Sequence, residues 1–225
     1  MAVVALAAGC TQIAGSGHVI TRNVPVSSFD RLEVGSAFDV QVSIGSAPGL
    51  TLHVDDNLLG RVHVAVTGDT LQIRLEPGLQ VGKATLKADV TTVSLREIRA
   101  DGASHVVLRD ELSASNLVLK ISGASQVDGP VRAQAATLPI SGASQVRLQG
   151  SSARLSIDGS GASRLELESL QVSRVDVTLS GASQARVSVS EAMSVDLSGA
   201  SQLSYRGTPT ITHQNVSGAS HIERI

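Results

Sequence analysis

The sequence has few aromatic residues, a single cysteine and no excess of charge of one sign. Only Phe29, Phe38 and Tyr205 are aromatic among 225 residues. Sites that stack sugars or single-stranded nucleic acids rely on aromatic faces, so the shortage disfavours both kinds of stacking platform. A formal net charge of −2 also lacks the basic footprint that nucleic-acid binding needs. The one cysteine, Cys10, excludes an intrachain disulfide and any multi-cysteine metal site.

Long hydrophobic runs are missing as well. After residue 10, no segment approaches the roughly 18 apolar residues that a membrane-spanning helix needs. The first ten residues, MAVVALAAGC, are apolar and end in small residues before Cys10. Leu6–Cys10 resembles the lipobox of a bacterial lipoprotein signal, in which cleavage precedes the cysteine and the cysteine is lipidated. Such a signal usually begins with basic residues, and their absence here indicates a true start that lies upstream.

The N-terminal residues therefore predict where the protein is located. We expect residues 1–10 to be the remnant of a lipoprotein signal and Cys10 to be the lipid attachment site. This interpretation places the protein in the cell envelope, anchored to a membrane on the periplasmic or outer-membrane face; secretion is the alternative. A structural cysteine buried in a short N-terminal strand is the other interpretation of Cys10.

The remainder of the chain is dominated by a repeat. The tripeptide Gly-Ala-Ser recurs seven times at intervals of 18 to 21 residues. Its glycines are Gly102, Gly123, Gly142, Gly161, Gly181, Gly199 and Gly218. A fixed period near 20 residues is typical of a solenoid, in which each unit buries its apolar face only against its neighbours.

Each repeat contains two alternating runs, one on either side of the tripeptide. Apolar residues recur six, four and two residues before most of the glycines, as at Leu117, Leu119 and Ile121, with mostly polar residues between them. A second alternation starts four residues after the glycine, as at Val146 and Leu148. Alternation with a period of two indicates strands with one buried face. The pattern predicts an all-β fold, a right-handed parallel β-helix with coils of about 19–20 residues.

The tripeptide itself is expected to form a corner between the two strands. Glycine tolerates the positive φ of a sharp bend and allows close approach between coils. If the alternation continues unbroken, the serine points into the core; if a bulge forms at the glycine, the alanine does so instead. Either way, we interpret the repeated serine as a structural ladder and not as a nucleophile, because no histidine and aspartate recur beside it.

A polar column follows the tripeptide. The residue three positions after each glycine is His105, Gln126, Gln145, Arg164, Gln184, Gln202 or His221. We call these seven residues the Gln column, and the alternation places them on the outside. One hypothesis is a recognition surface for a surface protein or a glycan. The other is a stabilising ladder in which stacked amides bond to one another.

The two parts of the chain differ in their sequence patterns. Residues 11–100 contain alternating strands separated by turn residues, and we expect them to form a β-rich capping part for the repeats of residues 101–225. Gly35-Ser36-Ala37 is expected to be a variant corner that extends the repeat upstream. The last coil is incomplete after Ile222, which predicts an exposed edge suited to self-association.

The sequence offers little support for an enzymatic site or a metal site. Asp158 and Asp196 occupy the same outward position two coils apart, a loose match to the carboxylate pair of an inverting glycosidase. No long loop interrupts the repeats to build the walls of a cleft. His53 and His63 are the one close histidine pair that could meet across strands. We therefore predict no catalytic residue, no metal and no cofactor.

Several motifs in order resemble those of a known family. They are Gly15-Ser16-Gly17, the RNVPV of residues 22–26, Phe29-Asp30, the VGSAFDV of residues 34–40, Asp56-Asn57-Leu58-Leu59, the DTLQI of residues 69–73 and the repeated Ser-Gly-Ala-Ser. Together they resemble the bacterial head GIN domain family of auto-transporter adhesins, from about Gly15 to the end of the chain. The resemblance implies an exported β-helical domain, often on a lipoprotein, and it brings no catalytic residues.

Two functional hypotheses from different classes follow. The first is a non-enzymatic envelope lipoprotein domain, an adhesin or binding module that displays a β-helical surface to a surface protein or a glycan. The second is a structural or envelope-sensing accessory domain that self-associates through the edge of its solenoid. A polysaccharide-active β-helix enzyme is the third and weakest hypothesis.

Overall fold

The computed structural model describes residues 11–225. This part of the chain contains nineteen strands, a 3-10 turn at Leu59–Arg61 and no α-helix. The strands are β1 Thr11–Ile13, β2 Val19–Val24, β3 Arg31–Val34, β4 Asp39–Ile44, β5 Gly49–Asp55, β6 Val62–Thr67, β7 Thr70–Leu75, β8 Leu79–Val81, β9 Leu86–Thr92, β10 Glu97–Ala100, β11 His105–Leu108, β12 Leu112–Ile121, β13 Gln126–Ile140, β14 Gln145–Gly159, β15 Arg164–Leu179, β16 Gln184–Leu197, β17 Gln202–Arg206, β18 Thr210–Val216 and β19 His221–Arg224.

The repeats form a parallel solenoid, because each strand pairs in parallel with its equivalent on the next coil. In β13 and β14, Gln126 lies beside Gln145 and Ile140 beside Gly159, so the register equals one sequence repeat. The same parallel pairing joins β14 to β15 and β15 to β16. The solenoid has about seven turns with a spacing of about 19 residues. The predicted all-β parallel β-helix is confirmed.

The N-terminal part continues the solenoid in a different chain order. Strands β3 and β4 pair in parallel with β10 and β11 on one side, and with β7 and β9 on the other. The coil made by β3 and β4 therefore lies between the coil of β7 and β9 and the coil of β10 and β11, both of which come later in the sequence. Beyond β7 and β9 the pairing becomes antiparallel, with β6 on β7, and with β5 on β9 and β2 on β5. These antiparallel strands form the N-terminal capping region.

The core consists of aliphatic columns that run through the coils. The side chains before the corner, such as Leu119, Leu138 and Ile157, are at most 1% exposed. Val106, Val127 and Val146 form an equivalent column after the corner and are fully buried. Because a parallel register brings like side chains together, one alternating pattern in the sequence builds the whole core.

The inward residue of the Gly-Ala-Ser corner is the serine. Ser104, Ser125, Ser144, Ser163, Ser183 and Ser201 are each no more than 1% exposed, whereas the alanines are exposed. The hydroxyls of Ser144, Ser163, Ser183 and Ser201 donate to the carbonyl oxygen three residues earlier at 2.7–2.9 Å. A buried hydroxyl needs such a partner, and the corner supplies it locally.

The upstream corner is present but shifted by one residue from the predicted position. Val34 pairs with Ala100 and Asp39 with His105, which places Ser36, not Gly35, opposite the repeat glycine Gly102. Ser36 has a φ of 61° and Gly102 a φ of 73°. The bend therefore has the same left-handed geometry at both places, although Ser36 has a side chain.

Gly159 interrupts a column of aliphatic side chains, and its neighbours on later strands explain why. A Cβ at this position would come within 2.7 Å of Leu179 Cδ2. The larger leucine fills the space that the glycine leaves, so the core remains packed at this coil.

Candidate binding surface

The Gln column is a continuous row on the outer face of the strands that follow the corner. Its seven members lie side by side in register, from His105 beside Gln126 to Gln202 beside His221. The row continues into the N-terminal part, where Asp39 pairs with His105 and Lys87 with Asp39. The parallel register alone creates this arrangement, since each coil contributes the same position.

The N-terminal half of the column is engaged by neighbouring carboxylates. His105 Nε2 lies 2.8 Å from Asp128 Oδ2 and its Nδ1 lies 3.4 Å from Asp39 Oδ1. Gln126 Nε2 donates to Asp128 Oδ2 at 2.6 Å, and Gln145 Nε2 donates to Glu166 Oε1 at 3.4 Å. The amides bond to the adjacent row and, within residues 13–225, not to one another. The hypothesis of an amide ladder is wrong in this detail.

The C-terminal half of the column is exposed. Arg164, Gln184, Gln202 and His221 are all exposed, whereas the first three members are only partly so. Gln202 Nε2 makes one long hydrogen bond of 3.4 Å to Glu223. The side chains of Arg164, Gln184 and His221 form no hydrogen bond or ion pair with the part of the chain that the structure describes. Their donors and acceptors remain available to a partner.

A row of alternating charge runs beside the column. Arg147 Nε donates to Glu166 Oε2 at 2.7 Å, and Arg147 Nη1 lies 3.6 Å from Asp128 Oδ1. The hydrogen bond from Arg147 holds the pKa of Glu166 below its ordinary value. These ions neutralise one another, so the row fixes the geometry of the face and contributes little net field.

The other residues singled out in the sequence do not form a catalytic or metal site. Asp158 and Asp196 are both in register with Thr178, which lies between them. His53 lies on β5 and His63 on β6, strands that pair with different neighbours. Between residues 11 and 225, no three histidine, cysteine or carboxylate side chains are placed to share a metal ion. Cys10, the predicted lipidation site, lies outside the described residues.

His53 instead lies between a hydroxyl and a carboxylate. Its Nδ1 is 3.0 Å from Thr21 Oγ1 and its Nε2 is 2.9 Å from Asp89 Oδ2. The three side chains lie on the antiparallel strands β2, β5 and β9, on an open surface. The arrangement links the three strands at the N-terminal end of the solenoid.

A groove on the preceding face escaped the sequence analysis. Its volume is about 420 Å³, and its walls come from four successive coils. Its charged residues are Arg99, Asp101, Lys120 and Asp158, and three serines and Pro139 supply the other polar or ring side chains. The contributing positions are about 20 residues apart, so no local motif marks the groove. The one sequence signal is Pro139, because the residue three positions before each of the other repeat glycines is polar or charged.

The described chain holds no helix of sufficient length and hydrophobicity to cross a membrane.

Comparison with known proteins agrees with this architecture. A putative adhesin from Bacteroides fragilis superposes with a TM-score of 0.89 at 22% identity, covering 95% of this chain and 100% of that one. A putative lipid binding protein from Parabacteroides distasonis gives a TM-score of 0.80 at 16% identity, with coverages of 96% and 100%. A putative adhesin from Parabacteroides merdae gives 0.78 at 18% identity, with coverages of 95% and 99%. At these identities the likeness shows the fold alone.

The sequence comparison is more specific about the family. No curated protein matches the chain significantly. The family model described as "Putative auto-transporter adhesin, head GIN domain" matches residues 28–209. That span begins just before β3 and ends just before β18, so it includes the upstream coil, the N-terminal capping strands other than β2, and most of the repeats. The chain belongs to the head GIN domain family.

Proposed function

We propose that this protein is a non-enzymatic, adhesin-like binding module of the cell envelope that presents the Gln column to a surface protein or a glycan. The observation that supports the proposal is the exposed half of the column, Arg164, Gln184, Gln202 and His221, held in register on a rigid sheet. Membership of an adhesin-named family agrees with it. A flat row of preorganised donors and acceptors loses little conformational entropy on binding.

The proposed site is a surface for recognition and not for chemistry. The carboxylates beside the column are paired with arginine or bonded to glutamine amides, and the column lies on an open sheet face. A general acid and a general base would need distinct environments that separate their pKa values. Adhesion requires only complementary polar contacts over a sufficient area.

The binding proposal is tested on an array of immobilised saccharides and extracellular matrix proteins. We expect the quadruple variant Arg164→Ala, Gln184→Ala, Gln202→Ala and His221→Ala to lose at least about tenfold in affinity for whichever probe the wild type captures. The matched control changes exposed residues of another face, Ser113→Ala and Gln134→Ala, and keeps wild-type affinity. Equal binding by the quadruple variant, with unchanged circular dichroism, would refute the column as the site.

We further propose that the domain is anchored to the membrane by a lipid on Cys10. The motif Leu6–Cys10 supports this, because small residues before the cysteine fit a lipoprotein signal peptidase. Intact mass and membrane fractionation of the protein expressed from its native locus test it. We expect a lipid-sized mass increment that disappears in Cys10→Ser, and an unmodified protein in the soluble fraction would refute the anchor.

A further inference from the structure

The groove on the face before the Gly-Ala-Ser corners differs in character from the Gln column. Strands β10, β12, β13 and β14 each contribute one outward side chain to it, namely Arg99, Lys120, Pro139 and Asp158. Pro139 and Asp158 are direct neighbours in register. A pyrrolidine ring is short in comparison with lysine or arginine, so the surface dips at Pro139 between a basic end and an acidic end.

At the basic end, the two cations of the groove are more exposed than the carboxylate that pairs with them. Glu97 lies 2.7 Å from Arg99 Nε, 3.3 Å from Lys120 Nζ and 3.6 Å from Arg31 Nε. Burial alone would raise the pKa of Glu97, but the hydrogen bonds from Arg99 and Lys120 outweigh it and hold the pKa below its ordinary value. Glu33 is also in register with Arg99 and Asp101 lines the groove, so three carboxylates accompany these three cations, and Glu97 itself is only 12% exposed. The Arg99 and Lys120 side chains are still 46% and 49% exposed, which leaves them able to contact an anion.

The floor of the groove offers a hydrophobic ring and free hydroxyls. Ser122, Ser141 and Ser160 are at equivalent outward positions of three coils, joined by the backbone ladder. Their hydroxyls donate no hydrogen bond to any residue of the described chain, although all three are half-buried. Hydroxyls spaced by one coil, roughly 4.8 Å, can bond to a ligand that is itself rich in hydroxyl groups.

Pro139 has no evident structural benefit at this place. It lies within β13, a central strand with partners on both sides. Proline lacks the backbone N–H that a ladder requires and is normally confined to edge strands and bulges. The equivalent residues on later coils, Thr178 and Asn215, keep that N–H. A residue that weakens its own strand and forms the floor of a groove is better explained by a ligand than by packing.

We infer that this groove binds an acidic saccharide, with the carboxylate of a uronic acid at Arg99 and Lys120 and the sugar hydroxyls on the serines and Asp158. The C–H face of the sugar rests on the Pro139 ring, which takes the place of the aromatic platform that the sequence lacks. The open shape of the groove along the solenoid axis suits one stretch of a polysaccharide. This site is separate from the Gln column, and it does not require the column to bind anything.

The probe for this inference is a tetramer of galacturonic acid, compared with its fully methyl-esterified form, in an NMR or calorimetric titration. We expect the acid to bind with an affinity that falls as ionic strength rises, and the ester to bind at least about tenfold more weakly. Lys120→Gln is expected to weaken the binding of the acid by about tenfold and to leave that of the ester unchanged. Arg174→Gln removes an exposed arginine that pairs with Glu191 on another face, and this control keeps wild-type affinity.

A second variant separates ligand binding from stability. Pro139→Thr restores a backbone donor to the central strand and places a residue that the same column already contains at Thr178. We expect it to raise the melting temperature and to weaken the binding of the acid several-fold, a combination that a purely structural role for Pro139 does not produce. Lack of binding at millimolar tetramer, equal binding of acid and ester, or wild-type affinity in Lys120→Gln would each overturn the inference. Loss of binding in the Gln-column variant but not in the groove variants would overturn it too, and would assign the saccharide to the column.

Discussion

At the scale of single residues, the corner glycines show how close the coils approach. Gly161 has a φ of 77°, and a Cβ at this position would lie 2.6 Å from the carbonyl oxygen of Gly142 on the preceding coil. That carbonyl accepts a hydrogen bond from the Ala162 N–H at 2.8 Å. Glycine is therefore required at this position for two reasons. It adopts the left-handed backbone conformation without strain, and it leaves room for the carbonyl oxygen of the preceding coil. Ser36 has the same left-handed backbone conformation as these glycines, but its side chain makes that conformation unfavourable.

We predict opposite effects at these two corners. Gly161→Ala should lower the free energy of unfolding by at least about 2 kcal/mol, because it adds a left-handed alanine and a collision with a carbonyl oxygen. Ser36→Gly should raise it by up to about 1 kcal/mol, because it removes the strain of a left-handed serine. Urea denaturation measures both, with Ser36→Ala as the control that should give no gain. An alanine at position 161 with wild-type stability would contradict the close approach of the coils.

At the scale of the strand, alternation decides which side chains share the core. Leu138 is fully buried and is in register with Ile157, whereas the preceding residue, Thr137, is exposed on the same strand. The two residues are adjacent in sequence and occupy opposite faces of the strand. The sequence predicted this alternation correctly, because a strand with a single buried face has a period of two. Arg147 and Glu166 are 19 residues apart, and they meet because the parallel register places them on adjacent coils.

We expect a charge at these adjacent positions to have very different effects. Leu138→Asp should cost at least about 3 kcal/mol of stability, because the aliphatic column offers no partner for a buried carboxylate. Thr137→Asp should change stability by no more than about 0.5 kcal/mol, because its carboxylate remains in water. Thermal unfolding followed by circular dichroism distinguishes them. Similar melting temperatures for the two variants would mean that the inward assignment is wrong.

At the scale of the whole molecule, the two ends of the solenoid differ. The N-terminal end is finished by antiparallel strands, whereas β18 and β19 pair only with β16 and β17 among the described strands. Strand β18 is exposed throughout, contains no lysine, arginine or carboxylate and presents Ile211 at 39% exposure. Gln214 takes the place that Val195 has on the preceding coil, so this end is polar at its centre. A strand from a second molecule would therefore attach through backbone hydrogen bonds to β18, and it would bury little apolar surface.

This edge supports the alternative function, self-association of a structural or envelope-sensing domain. If that alternative holds, the protein should form dimers as its concentration rises, and Ile211→Lys should abolish them, because a charged side chain disfavours edge-to-edge pairing. Sedimentation equilibrium measures the association, and Thr137→Lys on the central coils is the control that should still dimerise. A wild-type protein that remains monomeric at the highest soluble concentration would rule out this alternative.

The repeat, the strands and the inward columns were predictable from the sequence alone, because a two-residue alternation and a regular interval between corner glycines are visible without any knowledge of tertiary contacts. It could not decide whether Ser104 or Ala103 faces the core, since both are small enough for the corner. Nor could it place Ser36 beside Gly102 or divide the Gln column into an engaged half and an exposed half. Those features depend on which side chains of different coils reach one another. Only the parallel register, fixed by the packing of the complete solenoid, brings them together.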